Sequence, residues 1–274
     1  MKLKNNQKKF SFDFTIITVV KNDEDNIENT IKSVLSQKKV KIQYIVLDGF
    51  SKDKTFSKIE KYKKLIRFIR HKDKSFYDGL NHALKFAKGK YVGILNSGDI
   101  YFNSKTLNKV KINSKKSDFL FGNVLFYNND FKIVRNWDLS FAKNKKIFFY
   151  YIAHSSLFIS LNIMKNYLKT YNLRYKISSD TDLLIRLNLH KKIKYIKIKD
   201  YMVFMKIGGL STNPKLIFKK IFEDIVILKS YFKYSFIIYY IKKVLIKLNG
   251  YFDIKKKWIL KKQLITTLKK LNDR

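Results

Sequence analysis

The sequence predicts an α/β fold, a mostly parallel sheet flanked by helices and followed by a basic helical appendage. Three features carry that expectation. Short β-branched runs alternate with amphipathic stretches from Phe14 to Leu95. Carboxylates recur just past the ends of those runs, and at Asn213 the composition shifts to a Lys-rich, apolar segment. Strand and helix in alternation imply parallel pairing with right-handed crossovers. An open sheet of this kind binds ligands beyond the carboxyl ends of its strands, so a site is expected in the loops after Val20, Leu47, Ile69 and Leu95.

Phe14 to Val20 is a continuous β-branched run, as expected of a strand covered on both faces. Asp23 to Ser36 carries Ile27, Ile31, Val34 and Leu35 at helical spacing. Ile42 to Leu47 reads as a second strand, Lys54 to Lys64 as a helix, and Ile66 to Ile69 as a third strand. Tyr77 to Lys88 reads as a helix that Gly89 would end, before a fourth strand from Tyr91 to Leu95. Phe119 to Phe126 and Phe131 to Arg135 suggest a hairpin, with Asn128, Asn129 and Asp130 as its turn. Ser155 to Ile159, Ile193 to Ile198 and Tyr201 to Met205 read as strands, and Ser179 to Leu189 as a helix. Asn213 is a natural N-cap, with Pro214 at the first helical position. The expected division is therefore a domain over 1–212 and a basic amphipathic tail over 213–274.

Hydrophobic residues make up 46% and aromatics 16% of the 274 residues, enough for a substantial core and against global disorder. The 59 Lys and Arg against 21 Asp and Glu give +38, which favours an anionic partner. Lys far exceeds Arg, and Ile, Asn, Phe and Tyr are abundant; the drift of an AT-rich genome accounts for part of that charge. With no cysteine there are no disulfides and no thiolate metal sites. The opening MKLKNNQKKF does not read as a secretory signal. No window approaches the ~20 apolar residues needed to span a bilayer. The expected location is cytoplasmic, peripheral on the inner face of a membrane.

In so basic a chain, carboxylates at strand ends stand out. Asp48, after the second strand, can accept hydrogen bonds from a ribose or a base N–H, while Asp53 and Ser51 suit a helix cap. Asn96, Ser97, Gly98 and Asp99 follow the fourth strand; an acid in such a turn can hold Mg²⁺ or Mn²⁺ together with substrate phosphates, although Ser-Gly-Asp is also a common turn. Asp73, Asp78 and Asn81 lie between a strand and a helix, where Ser75 or Asp78 could equally be a cap. Ser179 and Asp182 have capping-box spacing, which leaves Asp180 in the first helical turn without an internal partner. A helix N-terminus keeps such a carboxylate ionised, as a general base requires.

Taken in order, these segments resemble glycosyltransferase family 2, the inverting family with the GT-A (Rossmann-like) fold. Phe14 to Asn22 resembles its first nucleotide-binding strand, and Ile31 to Gln37 its first helix. Asp48 to Thr55, Asp73 to Asn81 and Gly89 to Asp99 resemble the loops that follow. Ser179 to Arg186 resembles the acceptor-side helix, and Gly208 to Ser211 a loop of the branch that builds colanic-acid-like, capsule and lipopolysaccharide glycans. The likeness spans about residues 12 to 212.

The resemblance implies a donor pocket at Thr18, Val20, Asn22, Asp48, Asp73, Asp78, Asn81, Asn96 and Ser97. It implies Asp99 as the metal ligand, standing for the last acid of an Asp-x-Asp motif whose first acid is here Asn96 or Ser97. Asp180 is implied as the catalytic base, with His154 and Arg186 on the donor or acceptor side. The cofactor would be Mn²⁺ or Mg²⁺. The partners would be a nucleotide-sugar, a UDP-sugar being favoured, and a glycan or lipid-linked acceptor.

In the tail, fifteen Lys and one Arg stand against four carboxylates after Pro214. Phe232, Phe236, Ile237, Tyr240, Ile241 and Leu245 can share one helical face, suited to an anionic membrane interface. The other reading of the tail is a helix packed on the sheet domain with solvated lysines. Two rivals to an enzyme are a nucleic-acid-binding protein and an inactive scaffold of the same fold. Against the first, the lysines are scattered and no nucleic-acid-binding motif is present.

Overall fold

The computed structural model describes residues 10–114, 117–138, 151–190, 193–209, 213–252 and 257–273. Its strands are β1 (Phe12–Val20), β2 (Ile42–Asp48), β3 (Arg67–Arg70), β4 (Gly89–Ile94), β5 (Ile100–Tyr101), β6 (Phe119–Tyr127), β7 (Ile133–Trp137), β8 (Leu157–Ser160) and β9 (Tyr195–Lys206). They form one sheet in the order β3-β2-β1-β4-β8-β6-β9-β5, with β7 paired to β6. The first four are parallel neighbours, and β8 then enters antiparallel to β4. β1 lies between β2 and β4 with Phe14, Ile16, Ile17 and Val20 buried, which is why its sequence is apolar on both faces.

Helices α1 (Ile27–Leu35), α2 (Thr55–Glu60) and α3 (Phe76–Leu84) are the crossovers between the parallel strands. α4 (Thr106–Asn113) and the short α5 (Leu161–Ile163), which runs into a π-turn at Met164–Leu168, were not foreseen, and neither was β5. α6 (Ser179–Leu189) follows as expected. The hairpin of β6 and β7 is present, with Asn128 closing its turn through its backbone to Lys132.

Three local readings are corrected. Gly89 does not end α3, which stops at Leu84; it opens β4 instead. A Cβ there would lie 2.3 Å from the Phe14 carbonyl carbon, so the glycine serves the close approach of β4 to β1. The two runs at 193–198 and 201–205 form one strand, β9, whose register against β6 slips around Gly122. Ser179 and Asp182 form no capping box: the Ser179 hydroxyl is buried with no hydrogen-bond partner among the described residues, and Asp182 instead binds Arg186 and the Tyr231 hydroxyl. At α3 the reciprocal cap does form, with Asp78 N–H donating to Ser75 Oγ at 3.2 Å and Lys74 N–H to Asp78 Oδ2 at 2.9 Å.

The tail comprises α7 (Ile217–Phe232), α8 (Phe236–Phe252) and α9 (Lys257–Asn272). Asn213 accepts from Lys215 N–H at 2.9 Å and Pro214 opens a 3₁₀ turn into α7, as anticipated. Ile227 and Leu228 of α7 enter the main core, and Leu264 and Leu271 of α9 join Ile100, Leu125 and Phe204 in a second cluster. The expected single apolar face is split. Phe232, Phe236 and Tyr240 pack on the core, whereas Ile237, Ile241 and Leu245 face outward with Tyr234 and Phe218, which are 95% and 82% exposed. Among the described residues no helix is long and apolar enough to cross a membrane.

Candidate active site

A cleft of about 780 Å³ opens beyond the carboxyl ends of β1 and β4, lined by Asp99, Asp180 and residues of the tail. Asp99 sits in the turn after β4, which Gly98 makes at a φ of +90°. The Asp99 carboxylate is buried, receiving Ser155 Oγ–H at 2.5 Å and Lys206 N–H at 3.1 Å. Burial pushes its pKa up to about 7, against the pull of those donors. Beside it, Asn96 Oδ1 and Ser97 Oγ are buried oxygens with no hydrogen-bond partner among the described residues. Each carboxylate oxygen has lone pairs to spare.

Carboxylate, amide and hydroxyl oxygens suit a hard cation that completes its coordination with ligand phosphates. Among the described residues no three His, Cys, Asp or Glu side chains gather into a self-sufficient metal site. A divalent cation here would therefore need oxygens from a bound ligand.

Asp180 lies half-buried in the first turn of α6 and faces the same cleft. One of its oxygens accepts from Thr181 N–H at 2.8 Å. Tyr77, whose hydroxyl donates to the Ile177 carbonyl at 2.8 Å, is held neutral by burial and by the Asp180 charge. His154 also lines the cleft, paired through Nε2 with Tyr171 Oη at 2.6 Å. Burial lowers its pKa, the Asp180 charge only partly opposing this, so the ring stays neutral.

Of the other residues singled out from the sequence, Val20, Asn22, Asp73, Asn96 and Ser97 line the cleft. Asp73 presents a buried Oδ2 with no hydrogen-bond partner among the described residues, its other oxygen held by His71. Five do not reach the cleft, each because an internal bond claims it. Thr18 donates to the Leu95 carbonyl at 2.6 Å and meets Tyr44 Oη. Asp48 is fully buried at the end of β2, held by Ser51 and, at 3.2 Å, by Arg70; its neighbour Gly49 forms the wall instead. Asp78 caps α3. Asn81 clamps the Tyr171 backbone from both its amide atoms. Arg186 ties Asp182 to the Leu168 and Thr170 carbonyls. Asp53 has the structural role expected of it, accepting from Thr55 and Glu24 N–H. Leu210 and Ser211 of the glycine loop lie outside the described residues.

The sequence did not reveal what the tail contributes. Glu223 on α7 accepts backbone N–H bonds from Lys176, Ile177 and Ser178 at 3.0, 2.8 and 2.9 Å. This carboxylate satisfies free donors at the start of α6 and complements its dipole, which fixes the turn carrying Asp180. Lys220, Lys243 and Lys247 enter the cleft from α7 and α8. Asp23, Asn26 and Lys206 were also missed. Lys206 Nζ donates to Asn26 Oδ1 at 2.6 Å, and the Asp23 carboxylate accepts from the Asn26 amide. Asp23 directly follows Asn22, and its place just past β1 was a signal available in the sequence.

A mixed sheet carrying an acid-lined cleft beyond its parallel strands is the architecture of the GT-A class of sugar-transferring enzymes. Staphylococcus aureus TarS 1–349, solved in complex with UDP-GlcNAc, has this fold: its TM-score is 0.62, at 17% identity over 94% of this chain and 80% of that one. The sequence pattern of "Glycosyl transferase family 2" matches residues 15–165, more than half of the chain, and the protein belongs to that family. Among named relatives, the "PGL/p-HBAD biosynthesis glycosyltransferase" of Mycobacterium tuberculosis is 25% identical over 73% of this chain and 79% of its own. The Escherichia coli "UDP-Glc:alpha-D-GlcNAc-diphosphoundecaprenol beta-1,3-glucosyltransferase WfaP" is 31% identical over 43% of this chain and 48% of its own. The protein is a glycosyltransferase.

Proposed function

We propose that the protein transfers a sugar, with inversion, from a nucleotide-sugar to a hydroxyl of a lipid-linked glycan acceptor in surface polysaccharide or lipopolysaccharide assembly. The observation that carries this reading is the opening of Asp99 and Asp180 into one cleft from separate elements. Asp180 takes the proton of the attacking hydroxyl. It sits in the first turn of α6 facing the cleft, while burial holds Tyr77 neutral and His154 Nε2 is already paired with Tyr171 Oη. Asp99, with Asn96 and Ser97, would hold Mn²⁺ or Mg²⁺ against the donor diphosphate. The bound cation would offset the charge that grows on the leaving nucleoside diphosphate. Asp73 and Asn22 suit the nucleoside end, both lining the cleft with Val20.

The acceptor class is supported by the diphosphoundecaprenol named for the Escherichia coli relative and by the outward face of the tail. Phe218, Phe222, Tyr234, Ile237, Ile241 and Leu245 are exposed on α7, α8 and the turn between them, with Lys219, Lys229, Lys233 and Lys242 also exposed there. Such a surface docks on an anionic bilayer, which would place the enzyme peripherally on the cytoplasmic face of the inner membrane. UDP-sugars are the favoured donors. The test is nucleotide release from UDP-, GDP- and dTDP-sugars in turn, with Mn²⁺ and with chelator. Chelator-sensitive release from one class is expected, and no binding or release from any of them would overturn the reading.

A further inference from the structure

The two ends of the cleft differ in charge. At the Asp99 end the lining is oxygen-rich, with Asp23, Asn96, Ser97 and Asp99, and its cation Lys206 is tied to Asn26. At the other end four cations converge. Lys220 and Lys243 share one buried carboxylate, Asp224, at 3.9 and 2.9 Å. Arg135 on β7 lies flat on Phe126, 3.6 Å from the ring centroid, with Trp137 at 4.7 Å. Lys247 lines the cleft half-buried, and among the described residues no carboxylate is within ion-pairing distance of it. Around Lys220, Lys243 and Lys247 the pocket is lined by the carboxylate of Asp180 and backed by that of Asp224, so these three lysines leave it with a positive excess. An unpaired ammonium on a buried wall is costly unless an anion arrives. Burial, then Lys243 and Lys220, press its pKa down to about 7, a strain that a bound anion would relieve.

These cations stand on the Asp180 side. Lys243 Nζ donates to Thr181 Oγ1 at 3.1 Å and Lys220 Nζ to Ser178 Oγ at 3.3 Å, both next to Asp180 in sequence. The Asp180 charge acts on Lys243, His154 and Tyr77. None of the elements that carry the cations (β7, α7 and α8) supplies an oxygen to the Asp99 cluster. We propose that Lys247, with Lys220, Lys243 and Arg135, forms a subsite for a phosphate or pyrophosphate group carried by the acceptor. The inference rests on the reading of Asp180 as the acceptor's base. It gives α7 and α8 two tasks: their outer sides meet the bilayer, and their inner sides grip the phosphorylated head of a lipid-linked sugar entering from it.

The test is calorimetric titration of dodecyl diphosphate into the full chain holding saturating UDP and Mn²⁺. Binding is expected with the donor site filled. Lys247→Gln should weaken it roughly tenfold or more, as loss of a charge-assisted contact does, with UDP affinity unchanged. Lys270→Gln, on the exposed side of α9, should change neither. Inorganic pyrophosphate showing the same Lys247 dependence would assign recognition to the phosphates themselves. Three results would overturn the proposal: no binding of dodecyl diphosphate to the UDP-loaded protein, equal binding by the Lys247→Gln variant, or loss of UDP affinity in that variant, which would give the cations to the donor. A protein that bound dodecyl diphosphate but no nucleotide would refute the transferase reading and leave the subsite standing, so the two can fail separately.

Discussion

The two walls of the cleft are built in different ways. The Asp99 wall comes from strand ends of a parallel sheet, so its side chains follow directly from the backbone that carries them. The Asp180 wall is assembled from α6, which is held in place by a carboxylate some forty residues later, Glu223, and faced by lysines from α7 and α8. Strands fix a site through their ladder; a docked helix fixes one through a few buried charges. The first wall should tolerate changes in the tail, and the second should not.

The largest expected effect is at the proposed base. Asp180→Asn keeps the shape and removes the proposed proton acceptor, so turnover should fall about 10²–10⁴-fold. Donor binding by calorimetry should persist, and unchanged turnover would remove Asp180 from the chemistry.

Next comes the opposite wall. Asp99→Ala should weaken Mn²⁺-dependent donor binding by roughly a hundredfold, the scale of losing one charged ligand. Equal titration of donor and Mn²⁺ into parent and variant would refute it.

Glu223→Gln probes the joint between the two walls. With three buried backbone donors losing a charged acceptor, a cost of about 2 kcal/mol is expected, near 5 °C in melting temperature for a chain of this size. A positioning role requires kcat to fall with the donor KM unchanged, whereas a merely structural role would lower stability alone.

The smallest effect is a slope. The Lys247 pKa is pressed to about 7 in the fold, below its ordinary 10.5. Between those values the unfolded chain holds a proton that the folded one lacks, so this residue makes stability rise with pH across that window. Lys247→Met should therefore melt higher than the parent below pH 7, and the advantage should shrink towards pH 10. A difference that stays flat over that range would show that the lysine is not strained.

The first wall was largely legible in the sequence. Asn96, Ser97 and Asp99 sit just past a β-branched run, and a strand end points where the sheet points. Thr18, Asp48 and Asn81 looked equally suitable but are not among the residues that line the cleft, because sequence position does not say which partner claims a polar group. Here Tyr44, Arg70 and the Tyr171 backbone claim them. The tail was legible as amphipathic helix, but its split face was not. Lys243 and Lys247 read like any other lysines in a basic segment, and only the docking of α8 turns them inward.

The chain's own periodicity determined the crossovers from β1 to β4, the acidic turns at their ends and the helical nature of the tail, because these depend on contacts between near neighbours. Tertiary packing alone decided which carboxylates face solvent, which cap a helix and which cations meet Asp180. Those outcomes hang on contacts between residues far apart in sequence, such as Glu223 with Ser178 and Lys243 with Thr181, for which no local pattern exists.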